Sequence, residues 1–157
     1  MDPYIKRTDS DDPDFLSLVA ELDAELAVRD GDDHVFYAQL NKTANLPTCV
    51  VIYKNNLPVG SGAFRALDDS SVEIKRMYVR PEARGSGLAS AILQELETWA
   101  GDLGFSLLRL ETGKRQPEAI ALYKKSGFHI IPNFGNYWNV ENSVCFEKQL
   151  PSGINPQ

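Results

Sequence analysis

The sequence predicts a mixed α+β fold in one domain spanning residues 1–157, and three observations predict it. Short β-branched and apolar runs alternate with turn-forming residues, which marks several strands. Two longer stretches carry apolar residues at helical spacing, and a third opens on a proline and closes on a glycine. Residues 71–111 read as strand, helix, strand, and such a crossover returns parallel to its starting strand inside an otherwise antiparallel sheet. With 157 residues and 43% apolar content, the chain suits a single buried core.

Residues 3–8 form a short first strand. The acidic, proline-bearing segment 9–14 starts a helix whose core face is Phe15, Leu18, Val19, Leu22 and Leu26, and Gly31 ends it. A short helical piece is expected over residues 34–40, before Asn45 and Pro47 break it. Residues 48–53 and 59–67 pair as a hairpin across the turn-forming 54–58. After a second turn at 68–70, residues 71–79 form the strand that runs into Arg84-Gly85-Ser86-Gly87-Leu88-Ala89. Ile92, Leu93, Leu96, Trp99 and Ala100 mark the helix that follows, and residues 107–111 the next strand. Pro117 and Gly127 bracket another helix, and residues 128–131 and 143–150 finish the sheet around a loop rich in Asn, Gly and aromatics. About six or seven strands and about four helices result.

The net charge of −6 argues against a nucleic-acid partner, which a basic face would serve. No run of about 18 apolar residues exists, and the N-terminus lacks a signal-peptide core, so the expectation is a cytoplasmic protein with no membrane association. Cys49 and Cys145 sit in separate apolar runs, without metal-ligand spacing, and read as buried thiols; no metal is expected. Residues 1–33 hold eleven acidic and three basic side chains, leaving thirteen basic against eleven acidic in the remainder. The acidity is thus expected to lie away from the glycine turn, around which Lys75, Arg76, Arg80 and Arg84 face Glu73 and Glu82.

That turn is suited to a phosphate. Two glycines let the backbone approach an anion, and the first N–H groups of the helix have no intrahelical partner. A Walker loop is excluded because no Gly-Lys-Ser/Thr follows. A dinucleotide fold is excluded because the turn follows the fourth strand rather than the first.

Arg84-Gly85-Ser86-Gly87-Leu88-Ala89, preceded by Val79-Arg80-Pro81-Glu82 and answered by Ala119-Ile120-Ala121-Leu122-Tyr123-Lys124-Lys125-Ser126-Gly127-Phe128, resembles the GNAT superfamily of acetyl-CoA-dependent N-acetyltransferases. The resemblance covers roughly residues 3–150 and implies a mostly antiparallel sheet whose parallel pair splays at the CoA site. It implies further that Arg84, Gly85, Ser86, Gly87, Leu88 and Ala89 hold the pyrophosphate, while Met77 and Val79 pair through their backbones with the pantetheine arm. A backbone N–H near Met77 or Tyr78 meets the oxyanion. Gln116 stands where relatives often have an Asn touching the cofactor. Glu73 and Glu111 are alternative general bases, Glu73 matching the base frequent in the superfamily and Glu111 that of ribosomal-protein N-terminal acetyltransferases. Tyr123 matches the tyrosine that protonates the leaving thiolate.

The implied reaction is direct transfer from acetyl-CoA to an amine of a small molecule or peptide, without a covalent enzyme intermediate. Acidic first helices point to a cationic acceptor, with Phe36, Tyr37, Phe134, Tyr137 and Trp138 shaping its aromatic surroundings. A homodimer is suggested by the resemblance alone. A non-catalytic acyl-CoA sensor and an interaction module are the alternatives from other classes.

Overall fold

The computed structural model describes residues 3–30 and 45–151. Within them seven strands, β1 Tyr4–Thr8, β2 Thr48–Lys54, β3 Leu57–Ala66, β4 Ser71–Val79, β5 Leu107–Gly113, β6 His129–Ile131 and β7 Ser143–Gln149, form one sheet in the order β1-β2-β3-β4-β5-β7-β6. Three α-helices accompany them: α1 Pro13–Asp30, α2 Leu88–Asp102 and α3 Pro117–Lys125. The expected helical piece at 34–40, with His34, Phe36 and Tyr37, lies outside the described residues. β4 and β5 are the parallel pair, and β1–β2, β2–β3, β5–β7 and β6–β7 are antiparallel. The mixed architecture predicted from the sequence is therefore observed. No helix among the described residues is long and apolar enough to cross a membrane.

The chain divides into two compact units, Met1–Arg65 with Lys75–Leu96, and Ala66–Ile74 with Glu97–Gln157. In the first, Asp12 starts α1 by accepting hydrogen bonds at Oδ1 from the N–H groups of Asp14 (2.8 Å) and Phe15 (3.3 Å). Its Oδ2 meets Lys6 Nζ at 2.7 Å and the Thr8 hydroxyl at 2.9 Å, so one side chain caps the helix and ties it to β1. The predicted face of α1, Phe15, Leu18, Val19 and Leu22, packs with partly buried Leu26 on Cys49, Val51, Tyr53, Ala63 and Tyr78. Each fully buried Phe or Leu contributes roughly 1.5–3 kcal/mol.

The β2–β3 turn uses Asn55 (φ 53°) and Asn56 (φ 65°), the left-handed pair that a two-residue hairpin turn needs. On β3, a Cβ at Gly62 would come within 2.6 Å of Ile92 and 2.9 Å of both Leu96 and Met77 Sδ, so this glycine is what lets α2 approach the strand.

In the second unit, β4 begins after a turn in which Asp68 Oδ1 accepts from the N–H groups of Ser70 (2.9 Å) and Ser71 (2.8 Å). Ser71, Val72 and Glu73 pair in parallel with Leu107, Leu108 and Arg109. Leu108, Leu110 and Phe146 are fully buried. Lys148 gives Nζ to Glu97 of α2 (2.8 Å) and to the Ser126 carbonyl that closes α3 (2.9 Å).

Candidate active site

The glycine turn of the first unit starts from a 3₁₀ turn, Pro81–Ala83, in which the Ala83 N–H reaches the Arg80 carbonyl at 2.9 Å. Gly85 (φ 90°) and Gly87 (φ 82°) then adopt backbone that side-chain-bearing residues rarely hold. A Cβ at either would have no heavy atom within 4 Å, so both glycines border open space. Buried Leu88 anchors the start of α2, and the first hydrogen bond across that start runs from Ala91 N–H to Gly87 O at 3.1 Å. The N–H groups of residues 88–90 precede that bond, at the positive end of a 15-residue helix. These residues fit a pyrophosphate.

The charges around the turn correct one expectation. The acidic residues of α1 do not lie away from it: Glu21 grips Arg80 at 2.8–3.2 Å through three hydrogen bonds, Asp23 meets Arg76 at 2.8 Å, and Glu25 meets Arg84 at 2.7 Å. Arg80 and Arg84 are four residues apart, as are Glu21 and Glu25, which helical spacing sets one turn apart on α1. Arg84 also gives Nε to the Val79 carbonyl at 2.7 Å, so its side chain ties the turn to the end of β4. The Tyr78 hydroxyl reaches Glu21 at 3.1 Å, and its phenol is pushed up to about 12 by burial and then by that carboxylate.

Arg76 holds φ 61° within β4, and its carbonyl accepts from the Ser61 hydroxyl at 3.0 Å. A left-handed residue in mid-strand interrupts strict side-chain alternation along β4. Met77 carries its sulfur to Gly62, beside Ile92 and Leu96 of α2, and Tyr78 and Val79 are buried.

The second unit holds the titratable candidates. Glu73, only 1% exposed, accepts at Oε2 from the Tyr137 hydroxyl at 2.7 Å. Glu111, half-buried, accepts at Oε2 from the Ser143 hydroxyl at 2.7 Å. Glu73 is paired with Arg109, Arg109 with Glu147, and Glu111 with Cys145. Directly paired residues share a face of a sheet, so both glutamates lie on one face. Arg109, opposite Glu73, turns its Nε to Glu147 at 2.9 Å.

Leu108, Leu110, Phe146 and Lys148 occupy the other face. Tyr123 of α3 packs there, its ring edge-on to Phe128 at 5.8 Å and tilted on Phe146 at 5.9 Å. The second unit therefore brings Glu73 and Glu111 together and sets Tyr123 against the opposite side. Burial, and secondarily the charge of Glu111, raises the Tyr123 phenol well above its ordinary value and keeps it protonated at neutral pH.

Gln116 is the residue before α3, and its side chain makes no cap hydrogen bond. Its Nε2 and the Asn142 Nδ2 flank Gly113, at 3.5 and 3.3 Å from where a Cβ would stand. Asn142 Nδ2 is buried with no hydrogen-bond partner among the described residues, so these amides fit a carbonyl-bearing cofactor arm.

Both cysteines are fully buried free thiols. Burial, with the charges of Asp9 and Asp12, pushes Cys49 up to about 12. Burial pushes Cys145 up to about 11, the Phe134 N–H pulling it down and the charges of Glu111 and Glu73 pushing it up. Neither supplies a thiolate near neutrality. Among the described residues no group of three His, Cys, Asp or Glu side chains is arranged to hold a metal ion.

Sequence reasoning missed Ser143 and Asn142, and treated Tyr137 only as an aromatic lining. No local signal marks these roles. The Gly60-Ser61-Gly62 run did carry one, since glycines in a strand interior mark close approach of another element.

Comparison with known proteins identifies the family and the fold. Residues 9–128 match the acetyltransferase (GNAT) family. The chain is 36% identical over 144 residues to an IAA acetyltransferase of Azospirillum brasilense, covering 86% of this chain and 90% of that protein. A Klebsiella pneumoniae structure, provisionally an acyl-CoA N-acyltransferase, superposes with a TM-score of 0.79 at 31% identity, covering 94% of this chain and 97% of that one. The fold is shared with yncA of Salmonella typhimurium, solved with acetyl-CoA (TM-score 0.68, 18% identity, 100% and 99% covered).

Proposed function

The chain belongs to the acetyltransferase (GNAT) family, and from that premise we propose that it transfers an acetyl group from acetyl-CoA directly to an amine of a small molecule or peptide. The observation that carries this reading is the distribution of proton-handling groups about β5. Two carboxylates share one face, and a protonated phenol packs against the other. Acetyl transfer needs a group to take the amine's proton and a group to protonate the departing thiolate.

In this reading the backbone of residues 84–89 binds the pyrophosphate, and Met77 and Val79 pair through their backbones with the pantetheine arm. Gln116 and Asn142 donate to carbonyl oxygens of the cofactor. An ammonium acceptor gives one proton to solvent to become a free amine. Its nitrogen lone pair attacks the thioester carbonyl carbon, a C–N bond forms and the C–S bond breaks. Glu73 or Glu111 takes the second proton from that nitrogen, the Tyr123 hydroxyl gives its proton to the departing thiolate, and Tyr123 is reprotonated from the carboxylate through solvent. The products are an amide and the CoA thiol, with one proton released overall. A backbone N–H of Met77 or Tyr78 meets the charge that builds on the carbonyl oxygen. The raised thiols of Cys49 and Cys145 support direct attack over an acetyl-cysteine.

The pairing of α1 carboxylates with arginines removes them as evidence for a cationic acceptor, so the reading requires an amine and no particular net charge. The test is thiol release from acetyl-CoA across an amine panel, by the native chain and by Tyr123→Phe, Glu73→Gln and Glu111→Gln. Amine-dependent release that falls in Tyr123→Phe and in at least one glutamate variant is expected. Equal rates for all four proteins would overturn the residue assignments. Acetyl-CoA binding with no turnover of any amine would instead identify an acyl-CoA sensor.

A further inference from the structure

We propose that the acceptor is an amino acid, one molecule carrying both the amine and a carboxylate, and that Arg109 of β5 binds its carboxylate; this narrows the reading above and rests on it. The Arg109 guanidinium is used on one side only. Its Nε gives to Glu147 Oε1 at 2.9 Å, and among the described residues neither Nη makes a hydrogen bond. An arginine that serves only to hold a carboxylate commonly grips it with two parallel N–H groups. Here Glu147 takes Nε alone, and its other oxygen faces His129 Nε2 at 3.9 Å. The Arg109 side chain is 33% exposed, so a ligand can reach the two Nη groups.

The fork is set before any ligand arrives. The guanidinium carbon lies over the Phe134 ring at 5.7 Å, within the range of a cation–π contact. Phe134 is itself fixed: its N–H donates to the Cys145 sulfur, and the Tyr137 ring stands edge-on to it at 5.5 Å. Tyr137 also returns its N–H to the Phe134 carbonyl at 3.0 Å. With Nε held by Glu147 and a ring against one face, the Nη end is a planar pair of donors whose geometry matches a carboxylate. A side chain already ordered loses less freedom when it binds.

Arg109 also stands beside the proposed chemistry. The parallel rungs between β4 and β5 end at Glu73 and Arg109, which places Arg109 on the sheet face that carries Glu73 and, two positions further along β5, Glu111. Such positions are about 7 Å apart, a distance one small molecule spans. A simple amine would meet the carboxylates of this face and leave the Nη pair without an acceptor. An amino acid turns its ammonium toward the glutamates and its carboxylate toward Arg109, so both signs are matched.

The test measures thiol release from acetyl-CoA with the L-α-amino acids, β-alanine and γ-aminobutyrate, each beside its own carboxamide. The amide keeps the amine and removes the negative charge. An α-carboxamide also makes the amine less basic, which favours the amide at neutral pH, so a preference for the acid stands against that bias. For at least one amino acid, the native chain should show a kcat/KM at least about tenfold above that of the carboxamide, mostly through KM. Arg109→Gln combined with Glu147→Gln removes both charges without leaving a lone carboxylate, and should bring that ratio to within about threefold of one. Arg109→Lys keeps the charge and loses the fork; it should lower the ratio at least about threefold and covers the case in which the double variant fails to fold. A native ratio near one for every pair, or a ratio that neither variant lowers, overturns the proposal while leaving N-acetyl transfer standing. A native chain that releases no thiol with any amine overturns both.

Discussion

Arg76, Arg80 and Arg84 of the first unit each meet a carboxylate of α1, whereas Glu73 and Glu111 of the second each meet a hydroxyl. Three ion pairs in a row hold a strand end and a turn in a set shape. A hydroxyl donating to one carboxylate oxygen orients that carboxylate. In the proposed reaction the first region supplies shape and cofactor affinity and the second supplies turnover.

The largest expected effect falls in the second region. Tyr123→Phe should lower kcat about 100-fold, the low end for loss of a general acid, while the acetyl-CoA dissociation constant measured by titration calorimetry stays within about twofold. A comparable loss of affinity would erase the contrast. Gly62→Ala comes next, in the first region, where the new methyl meets Ile92, Leu96 and Met77; about 1–3 kcal/mol of stability should be lost in denaturant unfolding. If it unfolds like the native chain, α2 is not closely seated on β3.

Arg84→Ala should weaken acetyl-CoA binding about tenfold and leave kcat at saturating cofactor nearly unchanged, since it releases the turn from Val79 O and Glu25. Arg84→Lys should not restore affinity, because an ammonium lacks the fork that reaches both groups. Rescue by lysine would show that charge, and not shape, is what the first region supplies.

The smallest effect concerns Asp12. Burial alone would raise its carboxyl, but hydrogen bonds from Lys6, Thr8 and the N–H groups of Asp14 and Phe15 outweigh that and lower it. A depressed folded value means that Asp12 stabilises the fold above the ordinary carboxylate range and loses that contribution as pH falls through its own lowered value. Asp12→Asn should therefore cost about 1 kcal/mol at pH 7, with the difference in Tm from the native chain shrinking on acidification. A difference independent of pH would show that the cap works without its charge.

Much of this was legible along the chain. The α1 face of Phe15, Leu18, Val19 and Leu22 follows from spacing, the turn glycines from their place between strand and helix, and Tyr123 from its helix. What escaped was partnership at long range: Glu21 and Glu25 lie 59 residues from Arg80 and Arg84, and Tyr137 lies 64 from Glu73. The left-handed Arg76 escaped too, because an arginine in a β-rich run carries no mark of it.

By itself, then, the sequence determined the order of strands and helices, the glycine turn between β4 and α2 and the residue types available for acid–base work. Periodicity and turn chemistry act over a few residues, and those features depend on nothing more distant. Only the tertiary structure decided which charges are neutralised by α1, which face each glutamate takes and which hydroxyl holds it. Those outcomes depend on strand register and on which segment comes to cover a face, and both are set by contacts between residues far apart in the chain.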